Sequence, residues 1–229
     1  ALGGDLISAL GSESDPTSSR IIAMLSEQGI GHRPLRIPGA EADWTLLVTS
    51  GPHGDKLPIG FRGCHSALNT FPERELSGES PEILVVASLT NRLVESALNT
   101  VNGIIRVFAP TLKNMTDREP SVSQFARRVD LLCCNRQEWE ALADREQLSE
   151  VIPILSITDG PQGGIIRFRT PSGEIREYRE PAFPRTHPPR DTNRAGEAYA
   201  STLLTTLFDA GWRAGPVDEG LIRIAARRS

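Results

Sequence analysis

The strongest constraint in this sequence is the alternation of short apolar runs with longer amphipathic segments. The runs "ILVVA" (83–87), "DLLCC" (130–134) and "PILSI" (153–157) are largely apolar, which is typical of strands buried on both faces of a parallel sheet. Segments with apolar residues at helical spacing follow the first two runs, namely "TNRLVESALNTVNG" (90–103) and "NRQEWEALA" (135–143). Strands joined through helices need right-handed crossovers, so the pattern predicts an α/β fold with a mostly parallel central sheet and helices on both faces.

Two hairpin patterns interrupt this alternation. The segment "TLLVTSGPHGDKLPIGF" (45–61) holds two β-like runs around a Gly, Pro and Asp turn, and it predicts a small β element projecting from the main body at approximately 32–62. A second pair of β-like runs, at 164–170 and 175–180, is joined by Pro-Ser-Gly-Glu. We expect both elements to belong to one domain that spans residues 1–229.

Composition excludes several classes of partner. A formal net charge of -4 gives no electrostatic basis for binding nucleic acid or an anionic membrane, and the apolar runs are too short to cross a bilayer. The 3 cysteines fit neither a disulfide framework nor CxxC metal spacing, so the reducing cytoplasm is the expected compartment. His32, His53, His65 and His187 also lack metal-ligand spacing and are expected to lie in exposed loops. The helical pattern "LIRIAARRS" at the end has no cap, and we expect residues to be missing at both ends.

The segment "DTNRAGEAYAS" (191–201) has the composition of an anion-binding helix start. A small-residue turn at Ala195 and Gly196 leaves backbone N–H groups unpaired at the positive end of the helix dipole. Glu197 would lie beside an anion bound there, where a carboxylate could take a proton from an attacking hydroxyl. A plain tight helix entry, with Glu197 complementing the dipole, explains the same residues, and composition alone favours this second interpretation.

The segment "NRQE" (135–138) also has two interpretations. Asn135 and Glu138 are three residues apart at a helix start and share a face, where oxygen ligands could hold Mg²⁺ directly or through water. A capping box has the same spacing, and without other information it is the better explanation. Both residues follow a predicted buried strand, and ligands of open parallel sheets bind at the carboxyl ends of the strands.

These segments together resemble a known family. "DTNRAGEAYAS" is similar to the DTxGAGD signature of the ribokinase-like (PfkB) carbohydrate kinases, "NRQE" matches their NxxE motif, and "SITDGPQGG" (156–164) resembles their nucleotide segment. The blocks occur in the family's order. The resemblance implies a ribokinase-like three-layer sandwich with a small β lid, and ATP-dependent phosphoryl transfer to a hydroxyl of a sugar or similar small polyol. In the family such lids often pair between subunits, so a homodimer through the lid is a further expectation.

The resemblance assigns a role to each matching position. Glu197 takes the place of the catalytic base, and Arg194, Ala195 and Gly196 take the place of the anion hole for the transferred phosphate. The positions implied to bind ATP are Asn135, Glu138, Thr158 and Gly160, with Glu138 also organising Mg²⁺ through water. Asp191 and Asn193 lie where many members hold a monovalent cation such as K⁺.

Two departures from the signature affect the centre of the reaction. Glu197 replaces aspartate, which adds a methylene, and Arg194 replaces the first glycine of the anion hole. An outward Arg194 could bind phosphate as a cation, whereas an inward one would fill the site. The alternative function is therefore a weakened or inactive member that binds nucleotide or sugar as a sensor or scaffold. A dinucleotide oxidoreductase is a remote third option because the chain has no GxGxxG.

Overall fold

The computed structural model describes residues 4–50, 55–68, 80–184 and 194–229. The chain divides into two compact units, Ala1–Asn69 and Thr70–Ser229. Within the described ranges, no helix combines the length and the apolar character that a membrane span requires.

The first unit begins with a parallel strand pair joined by a helix. Strand β1 (Asp5–Leu10) leads into helix α1 (Pro16–Glu27), and strand β2 (Gly31–Arg36) pairs in parallel with β1. Asp15 caps α1 because its Oδ2 accepts hydrogen bonds from the Ser18 backbone N–H at 2.9 Å and the Ser18 hydroxyl at 2.6 Å. The hydrogen bonds from Ser18 hold the pKa of the Asp15 carboxyl below its usual value.

An antiparallel hairpin completes the described part of this unit. Strands β3 (Trp44–Ser50) and β4 (Asp55–Phe61) pair with each other, and the short helix α2 (Cys64–Ala67) follows. The range 32–62 predicted for the lid thus contains two structures, since β2 pairs with β1 and the hairpin forms its own sheet. A lid function for the hairpin stays a prediction.

The second unit is built on one six-stranded sheet. Its strands are β5 (Ile83–Ala87), β6 (Ile105–Ala109), β7 (Leu131–Asn135), β8 (Ile154–Thr158), β9 (Gly164–Arg169) and β10 (Ile175–Glu180). Its helices are α3 (Asn91–Thr100), α4 (Leu112–Thr116), α5 (Val122–Phe125), α6 (Arg136–Ala141), α7 (Arg145–Val151), α8 (Ala195–Asp209) and α9 (Glu219–Arg228). Strands β5 to β8 run parallel in sequential order, and β9 and β10 extend the sheet as an antiparallel hairpin. The predicted mostly parallel sheet is confirmed.

Apolar side chains on both faces of the inner strands are covered, whereas β5 at the sheet edge has Val85 55% exposed, unlike the two-sided burial predicted for its run. On one face a single core cluster joins strand residues such as Leu131 and Ile154 to Leu203 and Leu207 of α8, and it extends to α9. On the opposite face Phe108 of β6 is fully buried and meets Phe125 of α5 edge to face, with ring centroids 5.6 Å apart. Helices therefore cover both faces, as the continuous apolar runs predict.

The adjacent cysteines of β7 belong to this core. Cys133 lies in the cluster under α8, and both Cys133 and Cys134 are buried and free. Burial raises the pKa of the Cys133 thiol to about 12, so the thiol stays protonated and unreactive at neutral pH. The absence of a disulfide agrees with the prediction from the sequence.

Phe108 provides a test of the core. Replacing it by alanine removes a fully buried ring and its contact with Phe125, so Phe108→Ala should lower the free energy of unfolding by about 3–5 kcal/mol. Phe183→Ala is the control, because Phe183 is 86% exposed and should change stability by less than about 0.5 kcal/mol. Urea denaturation of both variants would measure these differences, and equal losses would contradict the assigned packing.

Candidate functional site

One row of backbone pairs marks the edge of the sheet where the parallel strands end. Asn135, the last residue of β7, pairs with Thr158, the last residue of β8. Thr158 pairs in turn with Gly164, which pairs with Glu180. Residues that are far apart in the sequence therefore share one edge, and this is the edge where ligands of open parallel sheets bind.

Asn135 and Glu138 form a reciprocal capping box at the start of α6. The Asn135 Oδ1 accepts a hydrogen bond from the Glu138 backbone N–H at 2.8 Å, and the Asn135 backbone N–H donates to Glu138 Oε2 at 2.9 Å. The interpretation that the residues alone favour is therefore confirmed. The reciprocal bond of the capping box uses Glu138 Oε2, so the other carboxylate oxygen lies outside it and a ligand role can coexist with the cap.

The carboxyl of Glu138 is in an unfavourable place for a negative charge. Burial raises its pKa, and the charge of Glu197 raises it further, against the lowering effect of the Asn135 hydrogen bonds. The charge of Glu197 therefore contributes to the raised pKa of the Glu138 carboxyl, although burial is the larger cause.

Helix α8 begins at this site without a capping side chain. Arg194 is its N-cap residue, and no side chain of the described chain caps the helix there. The first intrahelical bond runs from the Ala198 backbone N–H to the Arg194 carbonyl at 3.0 Å, so the preceding amides of Ala195, Gly196 and Glu197 lie before the helical ladder. These residues are exposed, which leaves their N–H groups accessible to an anion.

The backbone of Arg194 explains why the family signature has glycine at this position. Its φ is 61° and its ψ is 12°, in the left-handed region that glycine adopts without strain. An arginine here carries a cost of about 1–2 kcal/mol that glycine avoids. Arg194 is also exposed, so its side chain is not packed into the core.

A tyrosine one turn into α8 connects the helix to the sheet. The Ser156 hydroxyl donates to Tyr199 Oη at 3.2 Å, and Tyr199 packs against the core cluster. Burial raises the pKa of the Tyr199 phenol, which remains neutral. The sequence pattern gives no reason to choose Tyr199 or Ser156 in advance, because their pairing depends on a contact between residues 43 positions apart.

The predicted nucleotide segment forms a tight turn beside the row of strand ends. Thr158 Oγ1 donates to the Cys134 carbonyl at 3.5 Å, and Gly160 begins a 3₁₀ turn with φ 51°. Gly163 closes this turn with φ 87°, where an added Cβ would lie 2.1 Å from the Glu180 carbonyl oxygen. Only glycine fits at position 163, so the first glycine of "QGG" allows the turn to pack against β10.

An open cavity of about 420 Å³ lies along the same edge. Its lining includes Arg136, Asp159, Gln162, Arg179 and Glu180. The Arg136 guanidinium donates from Nε to Asp159 Oδ2 at 2.5 Å, and this contact raises the pKa of Arg136. The motifs did not indicate these residues, because Arg136, Asp159 and Gln162 occupy positions of the quoted segments to which no role was assigned. Arg179 and Glu180 belong to β10, outside those segments.

Two predicted cation ligands lie outside the described residues, and the expectation for one histidine is wrong. Asp191 and Asn193, predicted to hold a monovalent cation, lie outside the described residues. His65 is not an exposed loop histidine as expected, since it belongs to α2, only 21% of its side chain is exposed, and its Nδ1 lies 3.1 Å from Asp43 Oδ2. This contact joins residues 22 positions apart, which spacing rules do not detect.

The comparisons with known proteins identify the fold. No family model matches the sequence, and the curated proteins give no match. Ribokinase from Giardia lamblia superposes with a TM-score of 0.72 at 18% identity, over 97% of this chain and 73% of that one. The chain has the ribokinase-like fold. Nucleoside kinase from Methanocaldococcus jannaschii, a member of the ribokinase family, has a TM-score of 0.72 at 16% identity, over 98% of this chain and 72% of that one.

A third similar structure is adenosine kinase from Anopheles gambiae, in complex with P1,P4-di(adenosine-5) tetraphosphate. It has a TM-score of 0.71 at 15% identity, over 98% of this chain and 71% of that one. All three of these ribokinase-like structures are kinases. Because the identities are low, the likeness establishes the fold, and function has to be argued from the site.

The raised pKa of the Glu138 carboxyl, which burial chiefly causes, predicts a pH-dependent stability. Because its pKa is raised in the folded protein, the folded state binds this proton more tightly, so stability is lost as pH rises above the ordinary value of 4.5. Glu138→Gln keeps a capping-box acceptor and removes the charge. The variant should gain in melting temperature relative to wild type as pH rises from about 4 to 8.

Glu140→Gln is the matched control for this experiment. Glu140 is on the same helix but 61% of its side chain is exposed, and it pairs with Arg136 at 3.8 Å. Its replacement should give no gain at high pH. A Glu138→Gln curve parallel to wild type across this pH range would show that the carboxyl is not strained by the folded structure.

Proposed function

We propose that this protein is a kinase that transfers the γ-phosphate of ATP to a hydroxyl of a sugar or similar small polyol. One observation supports the proposal: the uncapped start of α8 lies one turn before Tyr199, which the Ser156 hydroxyl joins to β8 two residues before its carboxyl end, and Glu197 contributes to the raised pKa of Glu138. This combination offers an anion site, a base and a carboxylate for a cation in one place. Phosphoryl transfer needs these three functions together.

The amides at the start of α8 would bind the transferred phosphate. Ala195 and Gly196 expose backbone N–H groups at the positive end of a helix of 15 residues, and an added Cβ on Gly196 would meet nothing within 4 Å. A phosphate can therefore approach this turn closely. The core packing of Leu203 and Leu207 fixes the helix, so the donors are held in place before the reaction.

Glu197 would act as the general base. It is in the first turn of α8, next to the amides that would hold the phosphate, and it is exposed. Its carboxylate would accept the proton of the acceptor hydroxyl as the oxygen attacks the γ-phosphorus, and ADP would leave. Glutamate has one more methylene than the aspartate of the signature, and its charge contributes to the raised pKa of Glu138.

The donor set at this edge fits Mg²⁺. Glu138 has a carboxylate oxygen outside the capping box, and its proximity to Glu197 gives a net negative environment that a hard cation would neutralise. When bound, Mg²⁺ would offset the charge of the ATP phosphates. Glu138 would hold it through water, while Asn135 fixes the Glu138 carboxyl by the capping box.

The similar structures that are nucleoside kinases support a ribose hydroxyl as the acceptor group, within the proposed class of sugars and small polyols. A nucleoside kinase from Burkholderia thailandensis is in complex with inosine. Thr158 and Gly160 would contact the ATP, and Asp191 and Asn193 would hold K⁺, as the resemblance implies. The lid function of the hairpin and pairing of two chains through it belong to the same proposal.

Replacing the proposed base tests the reaction. Glu197→Gln keeps the size of the side chain and removes the proton acceptor, so ADP release with Mg-ATP and an accepted sugar or nucleoside should fall at least about 100-fold. ATP binding measured by calorimetry should persist. Asp209→Asn is the control, because Asp209 is the last residue of α8 and is exposed at the end away from the site.

The two departures from the signature support a second function, a sensor or scaffold that binds nucleotide or sugar without turnover. Measurable ATP binding by wild type with no ADP release across a panel of sugars and nucleosides would establish it. Loss of ATP binding as well as turnover would instead refute the phosphate site at α8.

Arg194 gives a separate test, because stability and rate should move in opposite directions. Arg194→Gly should raise the free energy of unfolding by about 0.5–1 kcal/mol, since glycine adopts the left-handed backbone without strain. We expect kcat/KM to fall about tenfold, because an exposed guanidinium at the phosphate site is lost. An increase in rate would show instead that Arg194 obstructs the anion hole.

Ala214→Gly is the matched control for the backbone. Ala214 also has a positive φ, 90°, and it packs against the core cluster beyond the C-terminal end of α8. Its replacement should increase stability and leave the rate unchanged. Urea denaturation and steady-state kinetics on the two variants would separate backbone strain from phosphate binding.

A further inference from the structure

Three side chains of different chemistry meet beside the β3–β4 hairpin. Cys64 Sγ lies 3.5 Å from Asp43 Oδ1, His65 Nδ1 lies 3.1 Å from Asp43 Oδ2, and Cys64 Sγ lies 3.7 Å from His65 Nδ1. One ligand atom from each residue lies within 4.8 Å of the others. Among the described residues no other group of His, Cys, Asp and Glu side chains has this arrangement.

The separations match the edges of a tetrahedral metal site. Zn²⁺ bonds of about 2.3 Å to sulfur and about 2.0 Å to nitrogen or oxygen, at tetrahedral angles, place the ligand atoms about 3.3–3.6 Å apart. The 3.1 Å from His65 Nδ1 to Asp43 Oδ2 and the 3.7 Å from Cys64 Sγ to His65 Nδ1 lie close to this range, and all three ligand atoms lie within 4.8 Å of one another, so small side-chain shifts would complete the geometry. The contacts among Cys64, His65 and Asp43 are at hydrogen-bond distances, and a bound metal would replace the protons that these side chains share.

The surroundings suit a divalent ion that is partly shielded from water. Cys64 is 1% exposed, and the side chains of Asp43 and His65 are 18% and 21% exposed. A thiolate and a carboxylate together carry the two negative charges that balance a divalent cation, so the bound site would be neutral. A cavity of about 140 Å³ borders Asp43 and His65 and has room for water as a fourth ligand.

The existing contacts of Asp43 leave one carboxylate oxygen for a metal. Asp43 Oδ1 accepts from the backbone N–H groups of Gly63 at 2.9 Å and His65 at 3.2 Å, which fixes the carboxylate against α2. Oδ2 faces His65 and the Arg62 guanidinium at 3.3 Å. The side chain of Arg62 is 69% exposed, so it can turn into solvent when a cation binds.

We propose that Asp43, Cys64 and His65 form a Zn²⁺ site with one position open to water. Sulfur, imidazole and carboxylate ligands in a four-coordinate arrangement favour zinc over Mg²⁺ or Ca²⁺, which take oxygen ligands. Nothing in the proposed kinase reaction uses these residues.

A metal bound at this site would cross-link the two ends of the β3–β4 hairpin. Asp43 immediately precedes β3, and Cys64 and His65 follow shortly after β4, so a metal bonded to all three connects the two ends of the hairpin. Its role is then structural: zinc should make the hairpin more resistant to proteolysis, and a chelator should reverse this protection.

Cobalt substitution of the full chain tests the site directly. Co²⁺ should bind at about one ion per chain, with tetrahedral d–d bands and a sulfur-to-cobalt charge-transfer band in the absorption spectrum. Cys64→Ser should abolish the charge-transfer band. Asp43→Asn keeps the Oδ1 acceptor for α2 and should weaken zinc binding about 10-fold or more.

His32→Gln is the control variant, because His32 lines the same cavity but lies outside the group of three ligands. Its cobalt spectrum and zinc affinity should equal those of wild type. A charge-transfer band that persists in Cys64→Ser would place the metal at another thiol and overturn the proposal. Absence of stoichiometric metal binding by wild type would overturn it as well.

X-ray absorption spectroscopy of zinc-loaded wild type measures the zinc ligands directly, so this test does not depend on whether the variants fold. One sulfur at about 2.3 Å with nitrogen or oxygen ligands at about 2.0 Å would support the site. A shell of nitrogen and oxygen alone would exclude Cys64 as a ligand and with it the proposed site.

Discussion

The packing of α8 on the sheet is the interaction on which the candidate site depends. Leu203 and Leu207 are fully buried against residues of β7, β8 and β9, and the Ser156 to Tyr199 hydrogen bond lies nearer the start of the helix. The first turn of the helix is exposed and uncapped, although burying its other end fixes its direction. Hydrophobic burial of one half of the helix therefore fixes the position of the unpaired backbone N–H groups in the other half. Without a ligand, only water would satisfy these donors.

The same arrangement brings together groups that would avoid each other in an unfolded chain. Glu138 is fixed by the capping box with Asn135, and the charge of Glu197 contributes to the raised pKa of its carboxyl. Burial of Glu138 is the larger cause, because a partly buried charge loses contact with water. A carboxyl with a raised pKa at the carboxyl edge of parallel strands is a stronger candidate for function than a capping box alone, since a cap by itself needs no second carboxylate.

Much of this fold follows from local sequence patterns. The apolar runs that became β7 and β8 predict a parallel sheet because strands buried on both faces cannot alternate in polarity, whereas the similar run of β5 lies at the sheet edge with Val85 55% exposed. Asn135 and Thr158 could be predicted at one edge, because the carboxyl ends of parallel strands meet there. The contacts of Tyr199 with Ser156 and of His65 with Asp43 could not, because they depend on tertiary packing between residues 43 and 22 positions apart.

Arg194 has a left-handed backbone at a position where the family signature has glycine. Glycine at this position could allow a phosphate to approach the backbone closely, or it could allow a left-handed backbone. The sequence alone does not distinguish these two reasons. Here the backbone is left-handed with arginine present, so the local conformation is set by the surrounding fold and not by the residue. The turn before the exposed helix amides is therefore retained at a cost in stability, and the arginine changes what lies beside these amides while leaving the turn itself in place.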